Sequence, residues 1–266
     1  MKITLKDKIV WITGASGGIG EALAKACASE GAAVVLSGRR SAELERVRLL
    51  LPNPAKHLIL PLDICDEHAQ QQALDQLINH YGKLDWLINN AGISQRALVM
   101  DTTGETDRKI MEIDYFAQVA LSRRVLSVML QQKTGQLVFV SSVAGLVGTQ
   151  YRGSYSAAKA ALHLWANSVR AELFEQGIRV AVLFPGFVKT AVSMNALTGN
   201  GEALGKMDDA QAKAMTAEQF AAASLKALKA GKSYIVIGGF KEKLAALVSR
   251  VSPELLYKLI RKSKVR

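Results

Sequence analysis

Short apolar runs alternate with longer amphipathic stretches along most of this chain. Uninterrupted runs such as VVL and LVFV are typical of strands buried on both faces of a sheet. These runs predict strands at Ile9–Thr13, Ala33–Ser37, Leu58–Leu62, Trp86–Asn89, Leu137–Ser141, Arg179–Phe184 and Tyr234–Ile237. Helical patterns between them predict helices at about Gly18–Ser29, Ser41–Leu50, Asp66–Tyr81, Thr106–Gln131, Ser154–Glu175 and Ala217–Lys229. This alternation indicates an α/β fold, a doubly wound parallel sheet of about seven strands with helices on both faces.

The segment 187–215 interrupts this alternation. It is long, contains Gly199, Gly201 and Gly205, and carries apolar residues at scattered positions. Those apolar residues are Val192, Met194, Leu197, Leu204 and Met207. Long loops in compact domains are usually functional or disordered. We interpret the segment as a mobile substrate lid, and a plain surface excursion is the alternative.

The last part of the chain, residues 241–266, is a basic amphipathic tail. It contains eight lysine and arginine residues against Glu242 and Glu254. Its apolar stripe is predicted to comprise Leu244, Leu247, Val248 and Val251, followed by Leu255, Leu256, Leu259 and Ile260. Basic amphipathic helices can lie on anionic membrane surfaces. Packing of the stripe on the protein body or on a second subunit is the slightly favoured alternative.

The bulk composition fits one soluble domain. With 266 residues and 49% hydrophobic content, the chain can bury one core, which we assign to residues 1–240. Its charged start does not resemble a signal peptide, and no apolar stretch approaches the roughly 18 residues of a spanning helix. Cys27 and Cys65 have no metal-site spacing, and the four histidines are scattered. We therefore expect a cytoplasmic protein without a metal site, peripheral on a membrane surface if the tail binds one.

The net charge of +11 is concentrated in the tail. A basic surface suits nucleic acid, anionic lipid or an anionic cofactor. The chain has no motif of interleaved aromatic and basic residues, so we do not expect a nucleic-acid partner.

A glycine-rich turn, TGASGGIG at Thr13–Gly20, follows the first predicted strand and leads into the first helix. Glycines allow the backbone to turn tightly and to approach a pyrophosphate, whose charge the amino terminus of the helix favours. A glycine-rich turn alone is a weak signal, but the strand before it and the helix after it strengthen the prediction of a dinucleotide site.

The end of the second strand predicts which dinucleotide binds. Folds that prefer NAD place an acidic residue there, about 20 residues after the glycines. This chain has Gly38 at that position, followed by Arg39 and Arg40. Guanidinium groups pair with a 2′-phosphate through charge-assisted hydrogen bonds, and Ser37 can add a hydroxyl contact. We predict NADP(H); the alternative is that the arginines only solvate a surface turn.

Tyr155 and Lys159 are the main catalytic candidates, with Ser142 upstream. Residues four apart lie on one face of a helix, so the ammonium can act on the phenol. A nearby cation stabilises the phenolate, which makes the tyrosine a usable acid and base. A YxxxK pattern alone is weak, but after a nucleotide-binding turn it is strong.

These motifs together resemble those of the short-chain dehydrogenase/reductase family, in its compact single-domain branch. The matching segments are TGASGGIG at Thr13–Gly20, LDI at Leu62–Ile64, NNAG at Asn89–Gly92, SS at Ser141–Ser142, YSAAK at Tyr155–Lys159 and PGFVKT at Pro185–Thr190. They extend over nearly the whole chain up to about Phe240. The resemblance implies a Rossmann-like fold that binds a nicotinamide dinucleotide.

The resemblance also implies a role for each matched residue. The pyrophosphate region would be held by Gly14, Ser16, Gly18, Ile19 and Gly20. The adenine would lie between Asp63 and Ile64, and the ribose against Asn90, Ala91 and Gly92. The nicotinamide would be positioned by Pro185, Gly186, Val188 and Thr190. Tyr155 would be the acid and base, Lys159 would bind the nicotinamide ribose, and Ser142 would orient the substrate oxygen.

One residue departs from the pattern. Similar enzymes commonly have an asparagine in the helix before the fifth strand, where this chain has Asp114 in the segment MEIDYFAQ. An aspartate there brings a carboxyl group toward Lys159 and can alter the proton relay. If the family residue acts through its main-chain carbonyl and a water, the aspartate should be tolerated.

The predicted function is that of an NADPH-dependent carbonyl reductase, or alcohol dehydrogenase, acting on a lipophilic ketone, aldehyde or alcohol. A 3-oxoacyl-thioester reductase, whose acidic carrier docks on a basic surface, is one alternative. A non-catalytic dinucleotide-binding sensor is the other, although intact Ser142, Tyr155 and Lys159 argue against it. Similar enzymes often pair through the two long helices before and containing Tyr155, so a homo-oligomer is expected.

Overall fold

A parallel sheet of seven strands forms the centre of the computed structural model, which describes residues 3–192, 194–206 and 214–261. The strands of the described residues are β1 (Ile9–Thr13), β2 (Ala33–Gly38), β3 (Leu58–Pro61), β4 (Trp86–Asn89), β5 (Gly135–Val140), β6 (Ile178–Pro185), β7 (Val188–Lys189), β8 (Met215–Thr216) and β9 (Tyr234–Ile237), of which β7 and β8 form a separate pair. The strand order is β3-β2-β1-β4-β5-β6-β9, and all neighbours are parallel. The predicted doubly wound α/β fold is therefore confirmed. Because the order reverses between β1 and β4, a ligand crevice is expected at the carboxyl ends of these strands.

Helices cover both faces of the sheet. They are α1 (Gly18–Ser29), α2 (Ser41–Leu49), α3 (Glu67–Tyr81), α4 (Gly104–Met111), α5 (Ala117–Gln132), α6 (Gly153–Glu172), α7 (Ala217–Lys229), α8 (Phe240–Val251) and α9 (Pro253–Ile260). The sequence predicts one continuous helix over Thr106–Gln131, which is wrong in its middle. A π-helical turn, Glu112–Phe116, separates α4 from α5 and contains Asp114.

The core consists of two apolar layers, one on each face of the sheet. Successive residues of a strand point to opposite faces, and Val10 and Ile12 accordingly pack in one layer while Ile9 and Trp11 pack in the other. All four side chains are buried. Burial on both faces explains why the strands read as continuous apolar runs rather than alternating ones.

The predicted lid, residues 187–215, is tied to the body at several points. β7 pairs with β8, so the two ends of the segment lie side by side. Leu197 is buried, its N–H donates to Ser94 O at 2.8 Å, and its carbonyl accepts from Arg96 N at 2.8 Å. Residues 207–213, which include the predicted apolar position Met207, lie outside the described residues.

The predicted tail begins one residue early, with α8 at Phe240, and continues into α9. Residues 262–266 of the tail lie outside the described residues. Across the part of the chain that the structure describes, no helix has the length and apolar character needed to span a bilayer.

Candidate active site

Lys159 and Asp114 form a buried pair behind the carboxyl end of the sheet. Lys159 Nζ lies 3.4 Å from Asp114 Oδ2, and both side chains are almost completely buried. The ammonium also donates to Val140 O, the last residue of β5, at 3.2 Å. Asp114 Oδ1 accepts from Ile93 N at 2.8 Å. Through Asp114, the π-helical turn thus connects the segment after β4 to Lys159 on α6.

Burial raises the pKa of the Asp114 carboxyl above its ordinary value. Removing a carboxylate from water disfavours its charged form. The Lys159 ammonium and the Ile93 N–H act in the opposite direction and offset this effect only in part. The pair is therefore costly to bury, which is a property expected of a functional position more than of a structural one.

Tyr155 lies in the first turn of α6, and Gln95 fixes that turn. Gln95 Oε1 accepts from Ser154 N at 3.0 Å, and its Nε2 donates to Thr102 Oγ1 at 2.8 Å. Lys159 Nζ lies 5.8 Å from the centre of the Tyr155 ring, as expected for residues four apart on a helix. Sequence reasoning did not find Gln95, because a glutamine in a loop carries no motif that signals its partners.

Ser142 follows β5 and leads into a loop that packs directly on α6. Its Oγ accepts from Ala144 N at 3.1 Å, which leaves its hydrogen available to donate to a ligand. Ser141 Oγ donates to Lys159 O at 2.9 Å. A Cβ added at Gly145 would lie 2.8 Å from the carbonyl carbon of Lys159, so the loop and helix are in close contact. The structure thus brings the three catalytic candidates to the carboxyl end of β5.

The glycine-rich turn is braced from β4. Asn90 Nδ2 donates to Thr13 O at 3.0 Å and Gly14 O at 3.2 Å. Thr13 Oγ1 accepts from Asn90 N at 3.0 Å and from Ala91 N at 3.1 Å. Gly14 has a φ of 64°, and a Cβ there would lie 2.9 Å from Ala91 Cα. Asn90 and Ala91 therefore stabilise the conformation of the turn. The sequence predicted only that these two residues contact the ribose, not that they bind the turn.

The amino terminus of α1 fits the pyrophosphate of a dinucleotide. Within the described residues no side chain caps this end of the helix. A Cβ added at Gly17 would meet only Arg40 Nη2, at 3.8 Å, and Gly18 is exposed with Thr190 Cγ2 3.2 Å from its Cβ position. Open backbone amides at a helix amino terminus favour a phosphate group. The residues present therefore suit the predicted cofactor.

Arg40 and Ser16 lie together at the mouth of the same turn. Arg40 Nη2 donates to Ser16 Oγ at 3.1 Å and is 3.4 Å from Ser16 O. Arg39 and Arg40 are both exposed, and Arg40 immediately precedes α2. The arrangement places positive charge beside the glycine-rich turn.

Other predicted cofactor residues lie around this edge in different environments. Ser37 is buried, and its Oγ accepts from Trp11 Nε1 at 2.8 Å, which leaves the hydroxyl hydrogen available to donate. Asp63 is exposed, whereas the Ile64 side chain packs in the core. Gly20 is buried, and a Cβ there would lie 2.2 Å from Gly14 O, so α1 packs closely on the turn.

The segment after β6 contains the four residues predicted to position the nicotinamide. Pro185 ends β6, and Gly186 N donates to Ile237 O at 2.8 Å. Val188 is buried in β7, and Thr190 lies over Gly18 at the start of α1. These four predicted positions therefore connect β6 to the glycine-rich turn.

The chain belongs to the short-chain dehydrogenase/reductase family. A family model described as short chain dehydrogenase matches residues 8–201. The chain is an oxidoreductase of the class that interconverts CH–OH and C=O groups, and its family binds a nicotinamide dinucleotide. The fold and the site described above are consistent with both statements.

Among the relatives is a dehydrogenase/reductase SDR family protein 7-like of Drosophila melanogaster, 36% identical over 98% of this chain and 82% of the relative. The family member 7B of Mus musculus is 33% identical over 97% of this chain and 82% of its own length. A Burkholderia cenocepacia short chain dehydrogenase solved with NADP has a TM-score of 0.80 at 22% identity, covering 98% of this chain and 100% of its own. A Burkholderia phymatum relative solved with NAD has a TM-score of 0.82 at 20% identity, and 98% of each chain is covered. These two structures establish the likeness of fold alone.

The Asp114→Asn variant is expected to keep kcat/KM within about tenfold of the wild type, a change of at most ~1.4 kcal/mol in barrier. Asparagine is nearly isosteric, so its side-chain oxygen can still accept from Ile93 N, and only the ion pair with Lys159 is lost. Steady-state kinetics of the purified variant test this. Asp114→Leu is the control, because it also removes the acceptor of the Ile93 N–H. Leaving that N–H without an acceptor is expected to lower the free energy of unfolding by about 1–3 kcal/mol. A decrease in kcat/KM larger than tenfold in Asp114→Asn would show that position 114 does not accept asparagine and aspartate equally.

The Gly92→Ala variant is expected to lower kcat by about tenfold or more, because small displacements of reacting groups are costly. A Cβ at this position would lie 2.9 Å from Asp114 Oδ1 and 3.0 Å from Lys159 Nζ, so the buried pair must move. Gly148→Ala is the matched control, since an added methyl there meets no atom within 4 Å. Equal kcat in the two variants, measured at matched thermal stability, would show that the pair tolerates displacement.

Proposed function

We propose that this protein is an NADPH-dependent carbonyl reductase, running as an alcohol dehydrogenase in reverse, with a lipophilic ketone or aldehyde as substrate. The observation that supports the proposal most is the convergence of Ser142, Tyr155 and Lys159 at the carboxyl end of β5. A non-catalytic dinucleotide sensor has no use for a phenol and a buried ammonium brought together in this way.

The dinucleotide, when bound, supplies a hydride to the carbonyl carbon. Tyr155 donates its phenolic proton to the carbonyl oxygen, and Ser142 donates a hydrogen bond to the same oxygen. The oxygen gains negative charge in the transition state, so donors already aimed at it lower the barrier. Lys159 stabilises the resulting phenolate, and Asp114 holds the Lys159 ammonium in place through their 3.4 Å contact.

The preference for NADP(H) rests on Arg39, Arg40 and Ser16. The Arg40 guanidinium already lies against Ser16 Oγ at 3.1 Å, beside the glycine-rich turn. A carboxylate at the position of Gly38 would repel a 2′-phosphate, whereas two exposed guanidinium groups attract it. NADPH usually serves reduction in cells, which favours the reductive direction.

The lipophilic substrate class rests on apolar side chains around Tyr155. Tyr155 packs against a small cluster of Ile110, Ala158 and Leu197, the last of which belongs to the predicted lid. Leu98, Val99 and Met100 are exposed in one short segment, and Val99 lies against Gly153 at the start of α6. Apolar surface at the entrance favours an apolar ligand over a highly charged one.

The proposed reaction is tested by NADPH oxidation with pure protein and a panel of apolar ketones, apolar aldehydes and 3-oxoacyl thioesters. We expect turnover with the apolar carbonyl compounds. Preferential turnover of carrier-linked thioesters, with a salt-sensitive KM, would replace the proposal by the acyl-thioester alternative. Tight NADPH binding without turnover of any panel member would favour the sensor alternative.

A further inference from the structure

Four large apolar side chains form a narrow exposed stripe on α8. Phe240 is 80% exposed, Leu244 43%, Leu247 59% and Val251 77%. At 3.6 residues per turn these positions fall within an arc of about 60° on the helix surface. We call these four residues the outer stripe of α8. Val248, which the sequence pattern included in the stripe, is only half-exposed, and Phe240 takes its place.

The opposite side of α8 is fixed to the protein body, so the outer stripe cannot rotate inward. Ala246 is buried, and the Arg250 guanidinium lies 4.0 Å from the centre of the Tyr234 ring at the start of β9. At the other end of the helix, a Cβ added to Gly186 would lie 3.0 Å from Glu242 Cγ. The helix therefore lies along the edge strand β9 with its apolar stripe facing away from the sheet.

Positive charge flanks the outer stripe on both sides. Lys241 and Lys243 are exposed and lie about 100° and 60° from Phe240 in opposite directions around the helix. Lys258 and Arg261, in and after α9, are exposed as well. Residues 241–266 contain eight basic residues against two acidic ones. An apolar stripe between cations complements a surface that is apolar inside and anionic outside.

We propose that the outer stripe of α8 docks on an anionic lipid bilayer, with Lys241 and Lys243 at the level of the lipid phosphates. Amphipathic helices of this kind lie in the interface plane and bind through buried apolar area together with attraction to anionic lipids. A second copy of the chain is disfavoured as the occupant, because pairing this face with itself would bring like charges together. The proposal is independent of the proposed reaction.

The docking would bring a bilayer near the edge of the sheet that carries the site. Two residues separate the end of β9 from the start of α8, which lies beside Gly186. Gly186 follows β6 at the edge of the sheet that carries the catalytic candidates. A bilayer against the outer stripe therefore lies next to that edge.

The test is co-sedimentation of the full chain with vesicles of phosphatidylcholine alone and of phosphatidylcholine mixed with phosphatidylserine. The variant Leu244→Glu/Leu247→Glu removes the centre of the outer stripe. Its matched control, Leu49→Glu/Leu50→Glu, makes the same charge change at leucines of α2 and its carboxyl end that are 60% and 55% exposed. Thermal melting checks that both variants are as stable as the wild type.

We expect the wild type and the control to bind the anionic vesicles, and the α8 variant to bind at least tenfold more weakly. Lys241→Gln/Lys243→Gln is expected to weaken binding to anionic vesicles without creating binding to neutral ones. No binding of the wild type to anionic vesicles, or equal loss in the control, would overturn the proposal. A dimer that dissociates only in the α8 variant, in sedimentation without lipid, would assign the stripe to a second copy instead.

Discussion

Replacing Tyr155 with phenylalanine is expected to lower kcat by about 10²- to 10⁴-fold, the usual contribution of a general acid. The variant keeps the ring, so the packing of Tyr155 against Leu197 and Ala158 is retained. What is removed is the phenolic proton that, in the proposed mechanism, goes to the carbonyl oxygen. The dissociation constant for NADPH, measured by fluorescence titration, should be nearly unchanged, so the loss falls on kcat rather than on cofactor binding.

Tyr257→Phe is the matched control for this variant, because Tyr257 is an exposed tyrosine on α9. It should retain wild-type kcat and thermal stability. A Tyr155→Phe enzyme with substantial turnover would mean that another group protonates the substrate oxygen. The assignment of Tyr155 as the acid would then be abandoned, whereas the family membership would not be affected.

The second large effect is expected at the cofactor. Arg39→Ala/Arg40→Ala should lower kcat/KM for NADPH by about 10- to 100-fold, since hydrogen bonds to charged groups contribute about 1.5–3 kcal/mol. The value for NADH should change little, because NADH has no 2′-phosphate for the guanidinium groups to bind. The ratio of the two kcat/KM values, measured with one substrate, is the quantity to compare.

Arg179→Ala is the control for the arginine variant. Arg179 is exposed near the amino end of β6, at the sheet edge opposite the glycine-rich turn, and its loss should leave both kcat/KM values unchanged. Should the Arg39→Ala/Arg40→Ala enzyme lose activity equally with NADPH and NADH, the arginines would have a structural role only. A wild type that prefers NADH would contradict the predicted cofactor directly.

Much of the fold could be predicted from apolar runs alone. In a parallel sheet both faces are buried, so strands such as Leu137–Ser141 read as uninterrupted apolar segments, and the observed β5 differs by only one or two residues at each end. The convergence of Ser142 and Asn90 also follows from the sequence. Both residues follow parallel strands, and the carboxyl ends of parallel strands lie at one edge of the sheet.

The features that were not predicted depend on contacts distant in sequence. The pairing of β7 with β8 joins short segments about 27 residues apart, and two-residue strands have no periodicity to detect. The π-helical turn at Asp114 has an ordinary helical sequence pattern, so only the structure separates it from α5. The hydrogen bond from Trp11 Nε1 to Ser37 Oγ joins residues 26 apart on neighbouring strands, and no motif signals it.

Asp114 and Gln95 show which parts of the site depend on the folded chain rather than on sequence motifs. The sequence marks Asp114 as a departure from the family pattern, but its contact with both Lys159 and Ile93 requires the folded chain. Gln95 bridges α6 and Thr102 without belonging to any motif. Motifs therefore identify the groups that can carry out chemistry, whereas tertiary contacts identify the groups that position them.

The proposed reaction is hydride transfer from NADPH to a carbonyl carbon, with protonation of the carbonyl oxygen by Tyr155. The most direct test is single-turnover reduction of an apolar ketone with NADPH deuterated at C4 on both faces, followed by mass spectrometry of the product. We expect one deuterium on the alcohol carbon with the wild type, and almost no labelled alcohol from Tyr155→Phe on the same timescale. An alcohol product without deuterium, or equal label from both enzymes, would rule out this mechanism.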